Sequence, residues 1–229
     1  MSSLDLVEVN MKCLILDQGE EYFTFLNAIF NAIGHAQKEY NWLITDFEFY
    51  PELEKNKVLF GKDYVWISGE DLTEIIEEEN DPQFVWGVFT GFKKHISINQ
   101  IIKYNLPSVD GNKQFWEDEV NIQHPLADLE IVAFDSSLTI FMSRIDELAE
   151  RFQNRFPLAE DLVLRNRKEN SEIRFIENIL KNELVKRRIE INDENLKIKY
   201  SLWQKLYHKN NIVSSHEIIK LINKMLENK

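Results

Sequence analysis

Hydrophobic and polar positions change period several times along this chain, and each change marks an element. Residues 12–16, KCLIL, are a short unbroken apolar run of the kind a buried strand shows. DQGE follows, with Asp17 and Glu20 at capping-box spacing. Phe23, Leu26, Phe30 and Ile33 then recur at steps of three and four, which predicts a helix over about 20–33 ended by Gly34. In NWLITDFEFYP the pattern alternates. Asp46 and Glu48 fall on one face, Thr45, Phe47 and Phe49 on the other, and Pro51 stops the strand. DYVWISG reads as a strand, Ser68 and Asp71 as the cap of a helix EDLTEIIEEEN, and QFVWGVFTGF as an aromatic-rich strand.

Residues 93–128 carry weaker periodicity. SINQIIKYN fits a short helix capped by Ser97. LPSVDGNKQFWEDEVNIQHP, with two prolines and a turn at Asp110-Gly111, reads as a long loop. Loops of that length inside a compact domain are often functional. LEIVAF and LTIFMS are then joined by Asp135-Ser136-Ser137 as a hairpin. Ser143 and Asp146 stand at capping-box spacing ahead of a helix face of Ile145, Leu148, Phe152 and Phe156, and Pro157 follows. After FPLAEDL no strand pattern recurs. Ile173, Ile176, Leu180 and Leu184 define one helix, Leu196, Tyr200, Trp203 and Tyr207 a second, and Ile218, Leu221, Ile222 and Met225 a third opened by Ser214 and Glu217. The expected fold is α+β: a mixed or mainly antiparallel sheet with flanking helices, then an all-α C-terminal three-helix segment. The expected domains are an acidic 1–161 and a basic helical 162–229.

Charge sharpens this division. The net charge of −12 combines 30 Asp and Glu against 12 Lys and Arg in residues 1–161 with 9 against 15 in residues 162–229. The balances are −18 and +6. An acidic body repels nucleic acid and attracts basic proteins at long range, though acidity also serves plain solubility. The single cysteine, Cys13, lies in an apolar strand and reads as a small buried hydrophobe. The N-terminus lacks a basic stretch followed by an apolar one, and no apolar run approaches the ~20 residues that span a bilayer. A cytoplasmic protein without membrane contact is expected.

Catalytic spacing is scarce. His124, Asp135 and Ser136 have the residue types of a hydrolytic triad, but no glycine-flanked strand-to-helix elbow surrounds the serine. His124, before Pro125, reads better as a loop anchor whose ring bonds a backbone carbonyl. The five histidines form no i, i+4 pair and the cysteine has no partner, so no metal site is expected. Neither a phosphate-binding loop nor a dinucleotide fingerprint is present, so no cofactor is expected. EEEND, with Glu77, Glu78, Glu79 and Asp81, lacks calcium-loop spacing and reads as a solvated acidic helix end. Trp42, Trp66 and Trp86 lie in strands. Trp116 instead sits in the long loop, beside Phe115 and the acids Glu117, Asp118 and Glu119. An aromatic ringed by acids fits a hot spot for a basic protein, and it also fits a pin between loop and body.

YNWLITDFEFYP, YVWISGEDLTEII, QFVWGVFTGF and IQHPLADLEIVAFDSSLTIFMS together resemble a family of small bacterial proteins associated with immunity to toxins. The resemblance covers residues 12 to about 161 and rests on strand and turn phrases. It implies an acidic α+β domain that binds and blocks a toxin. The basic helical tail departs from it.

Three functions are therefore carried forward. The first is a non-catalytic protein-binding module, with Phe115, Trp116, Glu117, Asp118, Glu119, Glu77, Glu78, Glu79 and Asp81 facing a basic partner such as a toxin. The second is a nucleic-acid-associated regulator, in which Lys199, Lys205, Lys209, Lys220 and Lys224 of a helix-turn-helix-like tail contact phosphate. The third is an enzyme with a dispersed acidic site. The tail is also a candidate homodimer arm.

Overall fold

The computed structural model describes residues 11–80, 82–207 and 214–227. The chain divides into two compact units, Met1–Val163 and Leu164–Lys229. In the first, seven strands form one open antiparallel sheet: β1 (Lys12–Leu16), β2 (Tyr40–Glu48), β3 (Tyr64–Ser68), β4 (Trp86–Lys93), β5 (Leu129–Phe134), β6 (Leu138–Ser143) and β7 (Glu160–Asp161). Their order across the sheet is β3-β2-β4-β5-β6-β1-β7. The fold is α+β, and the sheet is antiparallel throughout rather than mixed. β7 has only two residues, too few for the alternation of period two to show in sequence, and pairs with Leu14 and Ile15.

Alternation along the strands sends apolar side chains to both faces. On one face Trp42, Ile44, Phe89, Ile131 and Phe141 pack with helices α1 (Leu26–Ala32), α2 (Glu54–Phe60), α3 (Gly69–Glu78) and α5 (Asp146–Arg155). On the other, Cys13, Leu43, Val88, Val132 and Ile140 are covered by Ile101 of helix α4 (Ile98–Ile101) and by Val109, Phe115, Val120 and Ile122 of the long loop. Cys13 is buried there, as expected, and burial, then Asp161 and Glu130, push its thiol pKa far up.

Several local expectations hold. Gly34 (φ +68°) ends α1, where the N–H groups of Gly34 and His35 bond back to Asn31 and Phe30 in a Schellman arrangement. Ser68 Oγ accepts from Asp71 N–H at 3.1 Å, and Ser97 and Gln100 form a reciprocal capping box on α4. Asp135, Ser136 and Ser137 make the β5–β6 hairpin loop, the first two at φ +50° and +53°.

Others are corrected. α1 starts at Leu26, and no helix uses Asp17 or Glu20 as a cap, because Phe25 is already pinned by a bridge to Gln83. Ser143 caps nothing: it is buried at the end of β6, and its hydroxyl is exchanged with the N–H and C=O of Ile145. Helix α2 has no long apolar stripe and escapes a periodicity search. In β2 a bulge between Thr45 and Glu48 puts Asp46 at φ +46°. The extra residue breaks the two-residue period. Thr45 therefore bonds the loop, while Phe47 and Phe49 join the helix side.

The second unit is helical: α6 (Leu162–Lys186, which begins in the first unit), α7 (Asp193–Leu196), α8 (Ile198–Tyr207) and α9 (Ser215–Glu227). The expected middle helix is two pieces, divided at Lys197. Ile176, Leu180, Leu184, Ile198, Leu202, Leu206, Ile218 and Ile222 form its core. The buried stripe of α8 is thus Ile198, Leu202 and Leu206, and Tyr200 is 52% exposed. Two apolar stripes compete on this helix, and the aliphatic one buries without stranding a hydroxyl. Ser214 and Glu217 form the expected capping box on α9.

Gly69 opens α3 against the turn before β2, where an added Cβ would lie 1.9 Å from the Gln37 carbonyl oxygen. Gly69→Ala is expected to destabilise the protein by about 3 kcal/mol, lowering Tm by roughly 6–12 °C in thermal unfolding. At Gly111 the backbone has φ +65°, but an added methyl would meet nothing within 4 Å, so the same change is expected to cost only ~1 kcal/mol.

Candidate functional site

The bulge in β2 is where the sheet takes hold of the long loop. Thr45 Oγ1 donates to the Pro107 carbonyl at 2.7 Å. The next residue, Asp46, accepts from the N–H groups of Val109 and Asp110 at 2.6 and 2.8 Å. A carboxylate receiving two backbone N–H groups is a charge-assisted clamp of the kind that fixes loops.

A second clamp runs through Gln123. Its backbone N–H and Nε2 donate to the two oxygens of Glu130 at 3.1 and 3.0 Å. Its Oε1 accepts from Ser108 N–H at 2.9 Å and from Asn112 Nδ2 at 3.0 Å. Asn112 also reaches the Ser108 carbonyl and caps the 3-10 turn Lys113–Trp116 through Gln114 N–H. Glu130 is completely buried in β5, and burial raises its pKa to about 8 against the opposing bonds from Gln123. The Thr90 hydroxyl, across the strand pair, also favours the charged form slightly, yet it lies outside hydrogen-bonding geometry.

His124 supplies the third clamp. Its Nδ1 accepts from Leu126 N–H at 3.2 Å and its Nε2 lies 3.2 Å from the Ile101 carbonyl, an arrangement that fits the neutral ring with the proton on Nε2. Burial lowers its pKa, opposed by the Ile101 bond. Phe92 and Tyr104 pack edge-on against it. His124 is thus the anchor expected from the sequence. With both ring nitrogens engaged, and Asp135 and Ser136 in the hairpin turn, no triad assembles.

Above these clamps the loop encloses an open groove of about 460 Å3, lined by Asn105, Leu106, Ser108, Asp110, Asn112 and Gln123 among others. Its walls offer side-chain amides, the Ser108 hydroxyl, the Asp110 carboxylate and the Lys113 ammonium. Among the described residues no group of three His, Cys, Asp or Glu side chains is placed to hold a metal ion. No described helix is long and apolar enough to cross a membrane.

The residues singled out from the sequence are dispersed. Phe115 is buried in the loop-side core, whereas Trp116 is 38% exposed and meets Phe134 edge-on at 5.4 Å. Glu117 and Glu119 are exposed and Asp118 is half-buried. In the second acidic group, Glu77 is exposed and Glu78 pairs with Lys55 at 2.6 Å. Glu79 turns inward. Its carboxylate accepts from Glu52 N–H at 2.7 Å, Leu53 N–H at 3.1 Å and Asn56 Nδ2 at 2.7 Å, fixing the start of α2. Burial works against its charge, but these donors outweigh it and lower its pKa. Asp81 lies outside the described residues. On the basic side, Lys199 is engaged by Glu177 and sits over the Tyr200 ring, while Lys205, Lys220 and Lys224 are exposed. Lys209 lies outside the described residues.

The roles of Asp46, Asn112 and Gln123 leave no signal in the sequence. That of Glu130 does: it is the one charged residue in LEIVAF, a strand otherwise apolar at every position.

Asp46→Ala is expected to expose the amides of Val109 and Asp110, raising their hydrogen exchange at least ten-fold, about 1.5–3 kcal/mol for charge-assisted bonds. Asp46→Asn, which keeps an acceptor and tolerates positive φ, loses less. Glu79 is charged in the fold below its ordinary pKa, so its stabilisation is complete above the ordinary carboxylate range and is lost as pH falls through its lowered value. Urea unfolding of Glu79→Ala is therefore expected to show a deficit at pH 7 that shrinks towards pH 3. Compared with family models, curated proteins and solved structures, the chain has no match.

Proposed function

We propose that the Met1–Val163 unit is a non-catalytic docking body for a basic protein, of the sort an immunity protein presents to a toxin. The observation that carries this reading is the clamped loop. Phe115 is sunk in the core, and the chain on either side of it is fixed by Asn112 and Gln123. That holds Trp116 and the acids Glu117 and Glu119 at the surface in one arrangement. A loop ordered in advance loses little conformational entropy on binding. The charge balance supports the same reading. Among the described residues, ion pairs within this unit engage Lys55, Lys57, Lys93, Lys94, Arg151 and Arg155, and the unit's acidic surplus over its bases steers a basic partner.

A nucleic-acid role for the Leu164–Lys229 unit has less behind it. Lys199 is committed to Glu177, and the exposed Lys205 and Lys220 are what remain to favour it.

The test is co-expression with basic products of neighbouring genes, followed by binding measurements on any that are neutralised. Neutralisation is expected, with an association rate that falls steeply with salt and drops at least about ten-fold when Glu117 and Glu119 are both replaced by Lys. Absence of any neutralised or bound product overturns the proposal. Tight binding of duplex DNA by the full chain, weakening steeply with salt, would move the function to the helical unit.

A further inference from the structure

We propose that the groove over residues 105–114 is a binding site for a short peptide with free termini. Asp110 takes its ammonium end, Lys113 its carboxylate end, and the side-chain amides of Asn105 and Gln114 its peptide groups. This site is separate from the surface around Trp116 and stands whatever docks there.

The way the loop is fixed carries this inference. Four successive residues are gripped by hydrogen bonds to their main chain. The Pro107 carbonyl accepts from Thr45, Ser108 N–H donates to Gln123, and the N–H groups of Val109 and Asp110 donate to Asp46. Anchorage of that kind leaves polar side chains available. Asn112 and Gln123 use both ends of their amides to hold the loop. By contrast, the Ser108 hydroxyl, the Asp110 carboxylate and the side chains of Asn105, Lys113 and Gln114 have no hydrogen bond or ion pair among the described residues. The groove thus has a frame ordered in advance, so a ligand has little left to order on binding. Its volume of about 460 Å3 lies within the range of small-ligand sites, about 300–1,000 Å3.

The charges select the ligand. Asp110 and Lys113 line one groove and carry opposite signs, yet neither is in an ion pair among the described residues. A simple anion would face Asp110 and a simple cation would face Lys113, in each case a meeting of like charges. A ligand with one charge of each sign satisfies both. Oligosaccharide sites are commonly floored by an aromatic ring, and no ring lines this groove. A side-chain amide carries a donor and an acceptor, the same pair that a peptide group presents, so Asn105 and Gln114 match a peptide backbone. Leu106, 40% exposed on the same groove, offers an apolar contact to a ligand side chain. At Gly111 nothing lies within 4 Å of where a side chain would begin, which lets a ligand approach the wall closely.

The experiment is an NMR titration of the full chain with trialanine, followed on the backbone amides. Saturable shifts confined to residues 105–114 and Gln123 are expected, with a Kd of about 1 mM. N-acetyl-trialanine and trialanine amide are each expected to bind about five-fold more weakly, having lost one exposed charge pair. Asp110→Asn is expected to weaken trialanine about five-fold and to leave N-acetyl-trialanine as it was. Lys113→Gln is expected to do the same with trialanine and its amide. Both replaced side chains are exposed, and the capped peptides test the same two charges in the unaltered protein even if a variant does not fold. Absence of saturable shifts up to about 10 mM trialanine would overturn the site. So would equal affinity for free and capped peptides, or saturation of the same residues by maltotriose or sodium phosphate with trialanine leaving them unmoved.

Discussion

Both faces of the sheet carry apolar side chains, so both have to be removed from water, and this requirement governs the rest of the first unit. Helices cover one face. The other face is covered by irregular chain, and irregular chain brings unpaired backbone groups with it. Those groups need partners that a sheet face does not ordinarily supply. Thr45, Asp46, Gln123, His124 and Glu130 are the polar groups that make an apolar cover out of a loop. Without them Val109, Phe115, Val120 and Ile122 could not be buried, although each contributes about 1.5–3 kcal/mol once it is.

This arrangement places polarity in an unusual position. The carboxyl of Glu130 is buried on an inner strand, where Gln123 of the loop reaches it. A buried group of that kind is a weak point of stability and a strong point of specificity, since only one loop position satisfies it.

Acidic residues are used in three different ways here. Glu79 and Asp46 serve as acceptors for backbone N–H groups, one at a helix start and one under a loop. Glu78 and Glu147 pair with basic side chains at the surface, which adds little to stability. The surplus of acidic over basic residues sets the field around the first unit. A count of charges along the chain treats all of these alike, and so the acidic group at 77–81 looks uniform in sequence although its members do different work.

Much of the fold was legible because local rules decide it. Strands at 12–16, 64–68 and 129–143, caps at Ser68, Ser97 and Ser214, the left-handed stop at Gly34 and the break in composition after about 161 all follow from period, turn chemistry and charge. The bulge at Asp46, the inward turn of Glu79, the choice between two stripes on α8 and the grip of Gln123 on Glu130 do not. Each depends on which distant segment arrives at that place: residues 63 positions apart meet at Asp46 and Val109. Periodicity records what a residue wants from its neighbours in sequence. A buried acid, an extra residue in a strand or a side chain that holds a loop is decided by neighbours in space, and only the tertiary structure supplies those.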